Sequence, residues 1–243
     1  MGLVKVPDYS FYWSGNKFLG NQGFKDVMPI KRYEKLNQYM HANNSATDIP
    51  VDQPGHDKLH KIRPLIDSSL HNFSVRYKPN QNQSVDEAMV PYRGRYSAKQ
   101  YIPSKPTKWG FKIWMRCDSK SGYCHEYDVY MGKETRVDNS KGLAHRVVES
   151  LTQTIQNKNH HVYFDSYFTS IPLVKDLLRN GIYSCGTIRQ NRKGFPQELK
   201  NAPRMQAGQF VGRQTEDMVS VVWMDNKVVS VLATNESLTE VHL

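Results

Sequence analysis

The chain has 243 residues, enough for one large domain or two small ones, and its 38% hydrophobic content permits a buried core. Its 33 Lys and Arg against 23 Asp and Glu leave a formal net charge of +10, which favours a polyanionic partner, nucleic acid ahead of an acidic membrane. No window approaches the roughly 18 consecutive apolar residues of a membrane span, the first residues lack the basic head and apolar run of a secretory signal, and three cysteines fit a reducing compartment rather than a disulfide framework.

Residues 1–72 read as mainly helical. Ile30, Tyr33, Leu36 and Met40 recur at helical spacing and predict a helix over 30–40. Turn formers crowd 43–55. A second helix is expected over 59–73, with Ile62, Leu65, Ile66 and Leu70 apolar and Pro64 tolerated near its start. From Ser84 the pattern changes to strands. Val85, Met89 and Val90 predict the first, and 111–115 the second. Asp118 to Gly122 (DSKSG) is a turn sequence, with 123–131 as the returning strand. Leu143, Val147, Leu151 and Ile155 predict a helix over 142–155. Residues 161–164 form a short buried strand, and His160-His161 reads as polarity at a strand edge. Ser170 is placed to cap a helix that contains Pro172 and ends before Gly181. Strands follow at 182–188, 218–224 and 228–233. Three antiparallel strands followed by alternation imply an α/β fold, a mixed sheet with helices on its faces.

Asp86 falls in the first of these strands and Asp165 ends the buried one. Neighbouring strands lie roughly 4.8 Å apart, so the two carboxylates can share a divalent cation. Magnesium takes oxygen ligands while keeping waters and substrate phosphates, and a metal pair can bracket an in-line displacement at a phosphodiester. That chemistry ordinarily asks for a third carboxylate. The same residues also fit an exposed Asp86-Glu87 pair on an edge strand and a turn-forming Asp165.

Basic residues surround both. Between Ser84 and Arg116 stand Arg93, Arg95, Lys99, Lys105, Lys108, Lys112 and Arg116 against Asp86 and Glu87, a net of +5. Tyr92, Tyr96, Tyr101, Trp109 and Trp114 are interleaved, with the two tryptophans read as core. A second patch holds Arg189, Arg192, Lys193, Lys200 and Arg204 against Glu198, a net of +4. Lys and Arg neutralise phosphates, and aromatic faces stack on bases. Cys117, Cys124 and His125 lie close together in sequence but lack zinc-site spacing.

Several segments in order, SVDEAMVPYRGR, QYIPSKPTKWGFKIW, DSKSGY, YFDSYFTSIPL and CGTIRQNRKGFP, with DKLHKIRPLID upstream, closely resemble the catalytic region of piggyBac-type transposases and the host proteins derived from them. The resemblance implies an RNase H-like mixed sheet with flanking helices, preceded by a helical region and interrupted by a β-rich insertion. On this chain that divides into 1–75, 76–203 (incomplete) and 204–243. It implies cut-and-paste transposition at TTAA targets with three aspartates and two Mg2+ ions. Asp86 and Asp165 correspond to the first two aspartates and to metal ligands. Arg93, Arg95, Lys99, Lys105, Lys108, Arg189, Arg192 and Lys193 would line the DNA. The implied partner is double-stranded DNA, with a homodimer as the working assembly, no membrane, and the nucleus as location.

The family's third aspartate follows the insertion. Asp217 and Asp225 are the late candidates, and neither has its context; Asp225 sits in a hairpin-type turn. The expectation is therefore a DNA-binding protein of transposase ancestry that holds Mg2+ weakly or not at all and does not transpose DNA as this chain. The alternative is a host-derived module that binds DNA or chromatin without cutting.

Overall fold

The computed structural model of the protein describes residues 4–132, 141–200 and 205–238. It divides into two compact units, Met1–Asp67 and Ser68–Leu243.

The first unit is built from short helices: α1 (Gln22–Val27) and α2 (Ile30–Tyr39), then a 3-10 turn at His60–Ile62 that leads into α3 (Arg63–Arg76), which runs across the division. Pro64 occupies the second position of α3, where the missing N–H costs nothing. An aromatic cluster organises the unit. Tyr12 stacks on Phe24 with centroids 4.1 Å apart, and Trp13 lies 5.1 Å from Tyr33 and donates its indole N–H to Met28 O at 2.7 Å. Arg63 grips Asp57 with two bonds of 2.7 Å.

The second unit is a nine-stranded mixed sheet with helices against it. Its strands are β1 (Asn82–Pro91), β2 (Gln100–Tyr101), β3 (Trp109–Asp118), β4 (Cys124–Val129), β5 (His160–Phe164), β6 (Ile182–Thr187), β7 (Phe210–Gln214), β8 (Val219–Met224) and β9 (Val228–Ala233). The order is β2-β3-β1-β5-β6-β9-β8-β7, with β4 also paired to β3. β1, β5 and β6 run parallel; the other pairings are antiparallel. α4 (Leu143–Thr152), α5 (Ile171–Arg179) and the short α6 (Gln197–Lys200) complete it.

The core follows from alternation. Val162 and Phe164 of β5, Val85 of β1 and Ile182 of β6 meet Val148 and Leu151 of α4 and Leu173, Val174 and Leu177 of α5. A helix stripe at four-residue spacing and strands of period two present apolar faces that can be buried only against each other. α5 is bounded as its sequence dictates. The Ser170 side chain accepts from Leu173 N at 3.4 Å, and Gly181 takes the left-handed φ of +66° that ends the helix.

Two expectations need correction. Trp109 is not core: it is 54% exposed at the start of β3, whereas Trp114 is buried at 3%. The two side chains differ because Trp109 belongs to the end of β3 that pairs only with the two-residue β2 on one side and the end of β1 on the other. His160 is not at a sheet edge either. β5 is central, and His160 is buried with Nδ1 3.0 Å from Asn80 O. β7 and α6 were not foreseen.

The DSKSG turn rests on Asp118, whose carboxylate is wholly buried and accepts from Asn80 N, Lys120 N, Ser121 N and Ser121 Oγ at 2.9–3.1 Å. Burial pushes this carboxyl up, but the donors from Ser121 and Asn80 prevail and hold its pKa far below the ordinary 3.8. A carboxylate depressed in the folded state adds stability that is present above its unfolded pKa and lost as pH falls through the folded value. Asp118→Ala is expected to cost about 2–4 kcal/mol at neutral pH. It should also flatten the acid limb of a stability–pH curve below pH 3.8. Denaturant melts at neutral and acid pH check both; an unchanged acid limb would refute the assignment.

Candidate metal and nucleic-acid site

In the parallel pairing of β1 with β5, Val85 stands opposite Phe164. Asp86 is the next residue of β1, on the face opposite buried Val85, and Asp165 is the first residue after β5, so the register brings the two positions to the same end of the parallel pair. Both are exposed. β1 lies between β3 and β5, which removes the edge-strand reading of the Asp86-Glu87 pair.

Each carboxylate is oriented locally. Asp86 Oδ1 accepts from Glu87 N at 2.8 Å. Asp165 Oδ1 accepts from Tyr167 N at 2.9 Å, an Asx turn that reverses the chain after β5. The Asp165 carbonyl accepts from Thr169 N at 3.1 Å and Thr169 Oγ1 at 2.7 Å. From the far side, Arg192 Nη2 donates to the carbonyls of Ser166 (3.1 Å) and Tyr167 (2.7 Å), and Arg189 Nε to Ser166 Oγ (3.4 Å).

The basic residues divide into two kinds. Arg93, Arg95, Lys108 and Lys193 are exposed, as is Arg189. Lys99 is half-buried: its ammonium donates to Gly94 O at 2.9 Å and lies 5.1 Å from the Trp109 ring, which itself packs 4.6 Å from Tyr101. Lys105 pairs with Glu87 at 2.9 Å. That bond outweighs burial and, with the fields of Glu87, Asp86 and Asp165, raises the Lys105 pKa. Arg192 braces the loop rather than facing outward. Of the second patch, Arg204 lies outside the described residues.

Sequence reasoning counted Lys112 only as one charge of the basic stretch and passed over Tyr167. Lys112 Nζ lies 4.9 Å from the Tyr167 ring and 5.4 Å from Trp114, tying β3 to the loop after Asp165. Burial, then the charge of Glu87, raises the Tyr167 pKa. A cavity of about 670 Å³ adjoins that loop, with Ser166, Arg189 and Lys200 beside Ile188, Leu199 and Val222.

A second cluster was also missed. His145 Nε2 lies 3.1 Å from Asp176 Oδ2 and 3.4 Å from Glu149 Oε1, joining α4 to α5. Among the described residues it is the one group of three potential metal-ligand side chains with donor atoms within 4.8 Å of one another. Lys141 Nζ, however, bonds Glu149 at 2.6 Å and Asp176 at 3.1 Å, and Arg179 binds Asp176 at 2.5 Å. An ammonium therefore already stands between the carboxylates, and the group is an ion network. The i, i+4 spacing of His145 and Glu149 was legible in the sequence; Asp176 came only with the packing of the helices.

Comparison with known proteins bears on the family and the fold. Human PiggyBac transposable element-derived protein 3 is 30% identical over 247 aligned residues, covering 98% of this chain and 40% of that protein. Human PiggyBac transposable element-derived protein 2 is 27% identical, covering 100% and 41%. The chain thus spans about two fifths of the length of these relatives. A cryo-EM structure of a piggyBac transposase synaptic complex with hairpin DNA superposes with a TM-score of 0.80 at 27% identity, over 90% of this chain and 46% of that one, which identifies the sheet as RNase H-like. Residues 1–242 match the family model described as Transposase IS4, so the chain belongs to that DDE transposase family, among its piggyBac-type members.

Proposed function

We propose that this chain is a double-stranded-DNA-binding part of a piggyBac transposase-derived protein, acting in the nucleus. In this reading Asp86 and Asp165 are two ligands of a divalent-metal site for phosphoryl transfer. The observation that supports the proposal is the β1–β5 register, in which Val85 pairs with Phe164, the residues just before Asp86 and Asp165, with Lys105 feeling the charge of both. DDE transposases generally use a divalent metal. Two exposed carboxylates with hard oxygen donors fit one, and Mg2+ is the ion proposed. When bound, it would polarise a phosphodiester and lower the pKa of an attacking water. The chain's own residues orient the carboxylates through the Asp165 turn and place Lys105 next to them. Arg93, Arg95, Lys99, Lys108, Arg189 and Lys193 would track phosphates, Arg192 would hold the loop they flank, and Trp109 would offer an exposed aromatic face. A homodimer is the assembly proposed. The division into 1–75, 76–203 and 204–243 belongs to the same reading.

Among the described residues no third carboxylate completes a ligand triad with Asp86 and Asp165. The 243-residue polypeptide is accordingly expected to bind duplex DNA without cutting it. The affinity should fall linearly in log–log form as salt rises. Replacing Arg93, Arg95 and Lys108 together by Ala should lower the salt slope by about 1 per lost phosphate contact. Asp86→Ala and Asp165→Ala should leave duplex binding intact. Fluorescence anisotropy against a TTAA-flanked duplex measures this, with a nicking assay in Mg2+ or Mn2+ beside it. Binding indifferent to salt and to the triple substitution would overturn the DNA reading. Metal-dependent cleavage abolished by Asp86→Ala would overturn the expectation of inactivity and establish the metal site.

A further inference from the structure

Cys117 on β3 and Cys124 on β4 are direct cross-strand partners. A register shift makes this so: Arg116 pairs with Glu126, the next pair is Cys117 with Cys124, and His125 is the extra residue. Asp118 N donates to Tyr123 O at 2.9 Å, so the adjoining Cys117/Cys124 position is a non-hydrogen-bonded antiparallel pair. Such pairs hold their Cα atoms about 4.5 Å apart with side chains on one face, inside the roughly 4.4–6.8 Å that a disulfide spans. Both cysteines are reduced and half-buried. The Cys124 thiol donates to Glu126 O at 3.5 Å. The neighbouring Cys124 thiol, aided by the Arg116 charge, outweighs burial and lowers the Cys117 pKa to about 7, while the nearness of Cys117 raises that of Cys124. Cys117 is therefore the readier nucleophile of the two. Cys185 on β6, by contrast, stands opposite Tyr163 and Ala233, and burial raises its pKa.

We propose that Cys117 and Cys124 are a thiol–disulfide modification site, oxidised by hydrogen peroxide to a cross-strand disulfide that staples the β3–β4 hairpin. The Cys117 thiolate attacks one peroxide oxygen. The O–O bond breaks, leaving Cys117 as the sulfenic acid and releasing hydroxide, which takes up a proton to become water. The Cys124 sulfur then attacks the Cys117 sulfur. The S–S bond forms, the S–O bond breaks, and the departing oxygen leaves as a second water with the Cys124 proton. Two thiols give up two electrons, and one peroxide is reduced to two waters. Ser84 stands opposite Cys117 on β1, and Asp86, two residues on, shares its face, so the bond would form on the sheet face that carries Asp86.

The test uses the reduced 243-residue polypeptide exposed to hydrogen peroxide, alkylated, and read by intact mass and non-reducing tryptic mapping. The expected result is the loss of two hydrogens in mass and of two of the three alkylatable thiols. Trypsin cuts after Lys120, so peptide 117–120 should remain joined to the peptide beginning at Ser121, and a reductant should separate them. Cys185→Ser should form the same bond; Cys117→Ser and Cys124→Ser should each abolish it. Linkage through Cys185, intermolecular dimers in place of the internal bond, or over-oxidation of Cys117 to the sulfinic acid with Cys124 still alkylatable would overturn the proposal.

Discussion

Arg116→Met should lower the free energy of unfolding by about 3–5 kcal/mol, a drop in melting temperature of roughly 10 °C for a chain of this size. The Arg116 residue is 2% exposed, and each guanidinium nitrogen makes a hydrogen bond. Its Nε donates to Leu151 O at 2.6 Å, Nη1 to Gln83 Oε1 at 2.9 Å and Nη2 to Thr154 Oγ1 at 2.9 Å. One side chain thus binds β3 to β1 and to the end of α4. Burial lowers its pKa, and Glu126 opposes that from 3.8 Å. Methionine fills much of the volume, so the loss comes from acceptors stripped of their donors rather than from a cavity. Glu126 is partly exposed and can rehydrate, whereas Gln83 is wholly buried. Gln83→Leu removes the orphaned acceptor, so Arg116→Met with Gln83→Leu should lose less than the sum of the two single losses. Glu126→Gln should give no such recovery. A melting temperature unchanged in Arg116→Met would show that these bonds are replaced by water at no net cost.

Arg116 also shows where sequence reading stops. Its position in a strand was legible, and in the sequence it counted as one more positive charge in a basic patch. Only the β1–β3 register and the approach of α4 make it an interior clamp. Period-two and period-3.6 patterns report which face of an element is apolar. That is why α2, α4, α5, β3, β5 and β6 appeared within a few residues of their predicted places. They do not report what stands at the end of a long polar side chain. Lys105 is a similar case. The sequence offers it as a DNA contact, and the fold gives it Glu87 as its partner. Trp109 errs in the other direction, because an aromatic in a strand reads as core unless the strand's edge position is known. The site itself was more accessible. Asp86 and Asp165 each fall at a strand position, and their adjacency needs only that β1 and β5 be neighbours. The motif resemblance supplied what periodicity could not.

Gly186→Ala is expected to destabilise the second unit by about 1–3 kcal/mol through overpacking and to disturb the setting of Asp165. Gly186 lies in β6 opposite Phe164, the residue before Asp165. A Cβ there would stand 2.5 Å from Thr169 Oγ1, 2.6 Å from Phe164 O and 2.7 Å from Phe164 Cδ2. None of these can give easily. Phe164 O is backbone in a central strand, and Thr169, wholly buried, donates its hydroxyl to Asp165 O at 2.7 Å. The added methyl must push apart the two residues that bracket Asp165. Thr169→Ala removes one contact and leaves the other two, so Gly186→Ala with Thr169→Ala should lose less than the sum of the single losses without returning to wild type. The thermal melt reads the stability. If Asp86 and Asp165 share a divalent cation, the same substitution should weaken Mn2+ binding in a titration, since moving one carboxylate by a fraction of an ångström spoils the shared position for a second. A melt and a titration both indistinguishable from wild type would mean that β6 yields at Gly186, and that the floor beneath Asp165 is softer than its contacts imply.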